Sequence, residues 1–217
     1  MTMIEHKMPT ELAPVAAVDD AALDRLGDAL QQAAAAGGLL DIGYRVIDSP
    51  VGQLLLAGTE AGLVRVAFAS EGHDAVLESL AATISPRILQ APSRLDLAAR
   101  ELEEYFAGRR KDFDVALDLR LATGFRREVL DYLPRIEYGH TASYAAVAAL
   151  TSSPRAVRAV GTACARNPLP LVLPCHRVVR ADGSQGAYLG GSEAKSFLLE
   201  LESTATPTDA RSHTGHF

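Results

Sequence analysis

The sequence predicts an α+β protein in which an N-terminal α/β domain with an antiparallel sheet precedes a mostly helical C-terminal domain with a helix-turn-helix. Three observations favour this class. Short β-type runs separated by turn residues lie in residues 42–68, helical periodicity dominates from residue 124 onward, and 48% of the 217 residues are apolar, enough to fill a core. We divide the chain into an N-terminal extension at 1–40, the N-terminal domain at 41–118, the C-terminal domain at 119–202 and a disordered tail at 203–217.

The first forty residues indicate a poorly ordered start followed by an amphipathic helix. In "DDAALDRLGDALQQAAAAGG", Leu23, Leu26 and Leu30 form one stripe, acidic residues occupy the first turn and Gly-Gly ends the pattern. We expect this helix to be an appended extension that packs on the body of the protein.

The N-terminal domain begins with three apolar β runs. In "IGYRVIDSPVGQLLLAGTEAGLVRVAFA" they are separated by Asp-Ser-Pro and Glu-Ala-Gly turns, which predicts an antiparallel meander. "HDAVLESLAATI" then predicts a helix, "RILQA" a short strand after Pro86, and "SRLDLAARELEEYFAG" a helix closed by Gly108. The charges of "RRKDFDVALDLR" suggest a segment that connects the two domains.

The C-terminal domain reads as a succession of helices. "GFRREVLDYLPRI" is one, "SYAAVAALT" a second, and "PRAVRAVGTACA" a third that opens with Pro154 after two serines. The second and third form the helix-turn-helix candidate, with Arg155 and Arg158 at i, i+3 on one face of the later helix.

Composition limits the classes of function. No run approaches the roughly 20 apolar residues of a membrane span, and "MTMIEHKMPTELAP" lacks the features of a signal peptide, so we expect a cytoplasmic protein with no membrane partner. The only cysteines, Cys164 and Cys175, are too few for a disulfide framework or an all-thiolate zinc site, and free thiols suit a reducing compartment.

The charge is unevenly distributed. The formal net charge of −6 argues against a nucleic-acid partner, yet residues 119–202 contain ten basic and seven acidic residues, a surplus of +3, and nine of the ten are Arg. Arginine suits phosphate and base contacts, so this surplus gives weak support for a nucleic-acid partner of the C-terminal domain.

The stretch "LVLPCHRVVR" leaves three interpretations of Cys175. Packing is the commonest role of a free cysteine, but His176 as a base and the cation at 177 favour a thiolate nucleophile. A metal site is disfavoured because the histidines, at 6, 73, 140, 176, 213 and 216, are scattered. Pro174 and "NPLP" supply a bend, and Asn167 is either a simple helix cap or a hydrogen-bonding partner of the turn that presents Cys175.

Several motifs in this region resemble one known family. "RAVGTACARNPLPLVLPCHRVV", followed by "GAYLGG" and "AKSFLLELE", is similar to the O6-alkylguanine-DNA alkyltransferases, also called methylated-DNA-protein-cysteine methyltransferases. The family's Pro-Cys-His-Arg-Val core stands here at residues 174–178. "ELEEYFAGRRKDFDVALDL" and "YGHTASYAAVAAL" match in the same order, so the resemblance covers about residues 42–202.

The resemblance implies DNA repair by direct reversal. An alkyl group of O6-alkylguanine, with O4-alkylthymine a further candidate substrate, would pass irreversibly to Cys175 and stay there as a thioether. His176 would act as the base through a water molecule, Glu202 would orient the imidazole, and Asn167 would hold the turn. On the local sequence alone, Glu202 is instead an exposed carboxylate at a helix end.

Guanine O6 lies in the base stack, so the nucleotide must be extruded. The resemblance assigns Arg158 as the finger that fills the gap and Tyr144 as the residue that helps to rotate the nucleotide and protonates the leaving guanine. Without the family, Tyr144 is a core aromatic. Cys164, on the recognition helix, is expected to pack or to touch DNA and not to react. The remaining candidates are Arg155 and Ala159 for DNA contact, and Pro174, Tyr188, Leu189 and Gly190 for the alkyl pocket.

We therefore expect a single-turnover DNA-repair transferase that acts as a monomer on double-stranded DNA containing O6-alkylguanine. It needs no cofactor and no metal; residues 1–163 contain no cysteine for the structural zinc that some family members carry. Leu189 stands where a smaller polar residue is often seen, which bears on the alkyl groups accepted. The alternatives are a non-catalytic alkylated-base recognition module, a helix-turn-helix transcriptional regulator and a cysteine hydrolase.

Overall fold

The computed structural model describes residues 19–204. The first part of the extension, 1–18, and the tail from 205 lie outside the described residues. The chain between them forms helices α1 (Asp20–Ala36), α2 (His73–Thr83), α3 (Asp96–Phe106), α4 (Gly124–Tyr132), α5 (Tyr144–Ala149), α6 (Val157–Ala165) and α7 (Gly191–Thr204), and strands β1 (Ile42–Ile47), β2 (Leu54–Thr59), β3 (Gly62–Phe68), β4 (Ile88–Gln90), β5 (Ala142–Ser143) and β6 (Val178–Val179).

The predicted α+β class is confirmed, with one sheet in the N-terminal part and helices dominating the C-terminal part. The sheet has the order β3-β2-β1-β4, and its first three strands form the predicted antiparallel meander. The short strand β4 pairs with β1 in the parallel direction, because the helix α2 carries the chain across before β4 begins.

The connecting segment is bound to the edge of this sheet. Leu63 donates its backbone N–H to Ala116, and the N–H of Asp118 returns to Leu63. Gly62, the first residue of β3, has φ +140, and a Cβ there would collide with the backbone of Ala116. Only glycine allows the segment to lie this close to the sheet.

The helix-turn-helix forms, but its second helix begins later than the sequence predicts. Ser143 caps α5 by accepting a hydrogen bond from the N–H of Ala146 at 3.0 Å. Residues 153–156 instead form a turn, in which the Ala156 N–H donates to Ser153, so α6 starts at Val157. Arg155 lies in this turn, and the expectation that it shares a helical face with Arg158 is wrong.

The amphipathic helix of the extension is present as α1, but its leucines do not pack on the body. Leu23, Leu26 and Leu30 are 52%, 67% and 56% exposed. Within the described residues α1 is joined to the domain by few contacts, among them a hydrogen bond between Gln31 and Ser93. Helical periodicity predicted the element correctly, but it does not say whether a neighbouring surface exists to receive the stripe.

The main core continues from the sheet into the C-terminal helices. It combines Leu54 and Leu102 with Val129 and Leu198 from the other part of the chain. No helix among residues 19–204 is long and apolar enough to cross a membrane. The prediction of a disordered tail at 203–217 is wrong for residues 203 and 204, which belong to α7, and the rest of that range lies outside the described residues.

Candidate functional site

The candidate site is built on a sharp turn between α6 and β6. After Asn167 the chain passes through buried residues 168–174 and then forms a short 3-10 helix, Cys175–Arg177. Leu171 in this turn has φ +74, a left-handed conformation that is uncommon for a non-glycine residue. Burial of the turn on all sides holds it there, and such strain is found at functional sites.

Asn167 ties the two ends of this turn together. Its side-chain Nδ2 donates to the carbonyl of Leu173 at 2.8 Å and to Sγ of Cys175 at 3.1 Å, while its Oδ1 accepts the N–H of Leu169 at 3.0 Å. Asn167 is fully buried, so these bonds satisfy an amide that has no water contact. Of the two sequence-based interpretations of Asn167, the structure bears out the one in which it holds the turn that presents Cys175.

The thiol of Cys175 is buried in this structure. It is 2% exposed, and burial raises the pKa of its thiol to about 11, while the hydrogen bond from Asn167 and the charge of Lys195 act in the opposite direction. The sequence led us to expect that Arg177 would favour the thiolate directly. Its guanidinium instead binds Glu202 through Nε at 2.9 Å and Nη2 at 3.0 Å, and it donates to the Ile136 carbonyl at 2.6 Å.

Glu202 lies at the centre of a buried network. It is 1% exposed, which overturns the local interpretation as an exposed helix-end carboxylate. Besides Arg177 it receives the hydroxyl of Tyr105 at 2.7 Å and the N–H of Gly139 at 3.2 Å, and Nε2 of His176 lies 2.8 Å from Oε1. Burial alone would raise the pKa of Glu202, but the hydrogen bonds from His176 and Arg177 and the charge of Arg177 outweigh it and lower this pKa to about 2.

These contacts determine the tautomer of His176. Because Glu202 is an ionised acceptor, Nε2 must carry the proton that it donates, which leaves the lone pair on Nδ1. Nδ1 is buried and has no hydrogen-bond partner among the described residues. Burial lowers the pKa of His176, so the ring is neutral near pH 7 and Nδ1 can accept a proton.

The loop at 186–190 covers the same site. A Cβ at Gly186 would overlap the hydroxyl of Tyr144, and a Cβ at Gly190 would overlap the ring of Phe68. Tyr188 stands edge-on to Phe68 at 5.5 Å and to His176 at 6.3 Å between ring centroids. The structure thus brings the pocket candidates Tyr188 and Gly190 together with His176, and it places Leu189 beside them in the loop, where its carbonyl accepts a hydrogen bond from Ser70.

Tyr144 borders the site from the first residue of α5. It is half-buried, and burial raises its pKa, with the neighbouring Cys164 and Cys175 acting in the same direction. The phenol therefore keeps its proton near neutral pH and can donate it.

The DNA-contact candidates are divided between surface and core. Arg155 and Arg158 are exposed and Ala159 is half-buried on α6. Cys164 is 5% exposed and packs in the main core with Val160 and Ala163. The expectation that Cys164 contacts DNA is therefore wrong, because a side chain that faces the interior cannot reach a duplex outside.

Two buried residues that the sequence analysis did not single out lie at the candidate site. Tyr105, on α3, bonds Glu202 and lies 3.4 Å from Nε2 of His176. Lys195 is fully buried on the face of α7 that also carries Leu198 and Glu202, and its Nζ donates to the Val178 carbonyl at 2.6 Å. Their spacing on helical faces was visible in the sequence, but it is equally typical of core positions and exposed lysines.

No cluster of three or more histidine, cysteine or acidic residues that could hold a metal ion occurs between residues 19 and 204.

Two family models match the chain in succession. Residues 42–119 match the ribonuclease-like domain of 6-O-methylguanine DNA methyltransferase, and residues 124–204 match the DNA binding domain of the same family. A methylated-DNA–protein-cysteine methyltransferase of Mycobacterium bovis is 40% identical over 168 residues, which span 77% of this chain and 96% of the relative.

Solved structures agree with these sequence matches. The crystal structure of Mycobacterium tuberculosis O6-methylguanine methyltransferase has a TM-score of 0.68 at 38% identity and covers 77% of this chain and 96% of its own. The structure of Mycobacterium tuberculosis OGT in complex with DNA has a TM-score of 0.65 at 38% identity, covering 76% and 95% of the two chains.

Proposed function

Because the chain belongs to the family of methylated-DNA–protein-cysteine methyltransferases, we infer that it is a DNA-repair enzyme that transfers an alkyl group from O6 of guanine in DNA to one of its own cysteines. We propose Cys175 as that cysteine. The observation that carries the assignment is the hydrogen bond from Asn167 to Sγ, which sits beside a neutral His176 oriented by an ionised Glu202. A cysteine packed only for its volume requires none of these partners.

The proposed reaction is one displacement. The thiol proton of Cys175 passes through a bridging water to Nδ1 of His176, and Glu202 stabilises the imidazolium that forms. The thiolate attacks the alkyl carbon, a C–S bond forms and the C–O6 bond breaks, with its electron pair going to guanine. Tyr144 donates its phenolic proton to the leaving guanine, and the proton held by His176 is then returned to the Tyr144 phenolate through water, so the net products are an S-alkylcysteine and unmodified guanine.

Burial explains why Cys175 is activated as a nucleophile only when an alkylated guanine is bound. The high pKa of Cys175 keeps the resting thiol protonated, which protects it from adventitious reaction. When an alkylated guanine is bound, His176 accepts the thiol proton as the C–S bond forms. Because a thioether has no group nearby to hydrolyse it, we propose that each molecule reacts once.

We propose that the C-terminal domain, 119–202, presents this site to duplex DNA, with 41–118 as the supporting domain. Arg158 and Arg155 are exposed on the helix-turn-helix side, and Arg158 is the candidate to occupy the space left by the extruded nucleotide. Pro174, Tyr188, Leu189 and Gly190 form the proposed alkyl pocket. Both cysteines are free, which suits the reducing cytoplasm, where we propose that the reaction takes place. We further propose that the protein acts as a monomer and needs neither metal nor cofactor.

The alternatives have less support. A recognition module that only binds alkylated bases does not need the nucleophile that stands here at Cys175. A regulator that uses the helix-turn-helix alone does not need the buried Glu202 network.

The decisive measurement is the mass of the intact protein before and after incubation with a duplex that contains one O6-methylguanine. We expect the mass gain of one methyl group replacing one hydrogen, saturating at one per molecule and mapping to the Cys175 peptide. Cys175→Ala should bind the duplex with no gain. An alkylated Cys164 peptide, or binding without any gain by the wild type, would overturn the assignment.

A further inference from the structure

One side chain of the N-terminal domain hydrogen-bonds the start of the turn at residues 167–175, here called the nucleophile turn. Arg65, on β3, extends its guanidinium to the turn, where Nη1 donates to the carbonyls of Asn167 and Pro168 at 3.3 Å each. The backbone supports the same contact, because the N–H of Val66 donates to Pro168 at 2.9 Å. The first residues of the turn are thus held against the edge of the sheet by three hydrogen bonds.

Arg65 is itself oriented by Glu71. The two side chains are 15% and 17% exposed and form an ion pair through Nη2 and Oε2. The other carboxylate oxygen of Glu71 accepts the N–H of Phe68 at 3.0 Å, which keeps it from swinging away. A guanidinium held on one side by a carboxylate presents its remaining N–H groups in a fixed direction, here toward the two carbonyls.

Asn167, whose carbonyl Arg65 binds, is also the residue that hydrogen-bonds the thiol of Cys175. The carbonyl of Asn167 accepts from Arg65, and its amide donates to Sγ of Cys175. A shift of the Asn167 backbone therefore moves the hydrogen-bond donor that favours the thiolate. Phe68, on the same short segment as Glu71, also packs against Tyr188 of the covering loop.

On this geometry, and resting on the proposed role of Cys175, we propose that Arg65 is a positioning residue for the transfer reaction. It couples the sheet of the N-terminal domain to the nucleophile by fixing the carbonyls of Asn167 and Pro168. It acts on Cys175 and not on DNA, so its effect must be the same for duplex substrate and for a free alkylated base.

The test compares Arg65→Ala with Arg45→Ala. Arg45 is a matched control on the neighbouring part of the sheet, since it pairs with Asp96 at 2.8 Å and donates to the Pro92 carbonyl at 3.3 Å without contacting the nucleophile turn. The single-turnover rate is measured across pH with an O6-methylguanine duplex and with free O6-benzylguanine. We expect Arg65→Ala to slow both reactions by about tenfold, the size of one lost charged hydrogen bond, and Arg45→Ala to slow neither.

The pH profile separates positioning from simple loss of stability. If the amide of Asn167 is displaced, the Cys175 thiolate is less favoured. In Arg65→Ala, the rising limb of the pH–rate profile with free O6-benzylguanine should therefore move to higher pH. If Arg65→Ala does not fold, Arg65→Met keeps the apolar stem and takes its place, and Arg65→Lys should restore part of the rate lost in Arg65→Met.

A folded Arg65→Ala or Arg65→Met with the rate and pH profile of the Arg45→Ala control would refute the inference. Slowing confined to the duplex would also refute it, because it would indicate a DNA contact. If the wild type itself transfers no alkyl group to Cys175, the proposed function fails, and this inference falls with it. Wild-type transfer with unchanged Arg65 variants refutes the inference alone.

Discussion

Single residues in this site gain their chemical properties from burial together with a partner. Glu202 and His176 have almost no contact with solvent. The pKa of the carboxyl falls although burial alone would raise it, whereas the pKa of the imidazole falls as burial requires. Arg177 accounts for the first shift together with His176, and desolvation dominates the second. The result is an ionised carboxylate beside a neutral ring, the combination that leaves Nδ1 as the base.

We expect Glu202→Gln to lower the stability of the protein at pH 7 by about 3 kcal/mol, the value of a pKa depressed from 4.5 to about 2. A depressed carboxyl pKa contributes stability that is present above 4.5 and lost as the pH falls toward 2. The difference between wild type and variant should therefore shrink across that window. Urea unfolding at pH 7, 5 and 3 measures it, and the exposed Glu200 on the same helix provides the control Glu200→Gln.

A difference that stays constant from pH 7 to pH 3 would show that Glu202 contributes only through packing. His176 adds a second acid-sensitive contribution of the same sign. Its pKa is lowered from 6.5, so the unfolded state binds more protons and stability is lost as the pH falls below 6.5.

At the scale of elements, the helix-turn-helix shows how local signals and tertiary contacts share control. The cap of α5 by Ser143 follows from a side chain next to its own helix. The turn that delays the start of α6 follows a tertiary contact, in which the carboxylate of Glu128 on α4 accepts hydrogen bonds from the backbone N–H and hydroxyl of Ser152. The exposed Arg158 is then presented from the first turn of α6.

We expect Arg158→Ala to slow repair of an O6-methylguanine duplex by about tenfold or more, because extrusion of a base costs a few kcal/mol that an inserted side chain offsets. Reaction with free O6-benzylguanine needs no extrusion and should change by less than about twofold. Single-turnover rates with the two substrates give the comparison. Arg127→Ala, which removes an exposed arginine paired with Asp131 on α4, should leave both rates unchanged.

Equal slowing of both reactions in Arg158→Ala would assign this arginine to the alkyl pocket or to folding and would exclude a role in extrusion.

At the scale of the whole molecule, the two domains share the main core. Leu102 from α3 packs in the same cluster as Val129 and Leu198, while a smaller cluster that includes Ile42 and Leu80 lies within the N-terminal domain. Helix α1 contributes little to the main core, as the exposure of Leu23, Leu26 and Leu30 indicates.

We expect Leu102→Ala to cost about 2–5 kcal/mol and to shift a single unfolding transition of the entire chain, because it opens a cavity in the shared core. Leu26→Ala, the same chemical change on exposed α1, should cost less than about 0.5 kcal/mol. Urea unfolding followed by far-UV circular dichroism and by tyrosine fluorescence tests both expectations. Two separate transitions, or equal costs for the two leucines, would contradict a shared core.

The sequence by itself determined the elements and the chemistry of the nucleophile segment. Periodicity, turn residues and caps are local properties, so the meander of β1, β2 and β3 and the order of the helices were predictable. The motif around Cys175 and His176, with "AKSFLLELE" downstream, also identified the family and the candidate residues Asn167 and Glu202.

Only the tertiary structure decided which of these residues meet and in which ionisation state. Arg177 pairs with Glu202 and not with the thiol, Cys164 faces the core, and Tyr105 and Arg65 reach the site from the other domain. Each outcome depends on contacts between residues far apart in the chain and on the desolvation that those contacts impose. Local sequence carries neither quantity, because burial is a property of the packed whole.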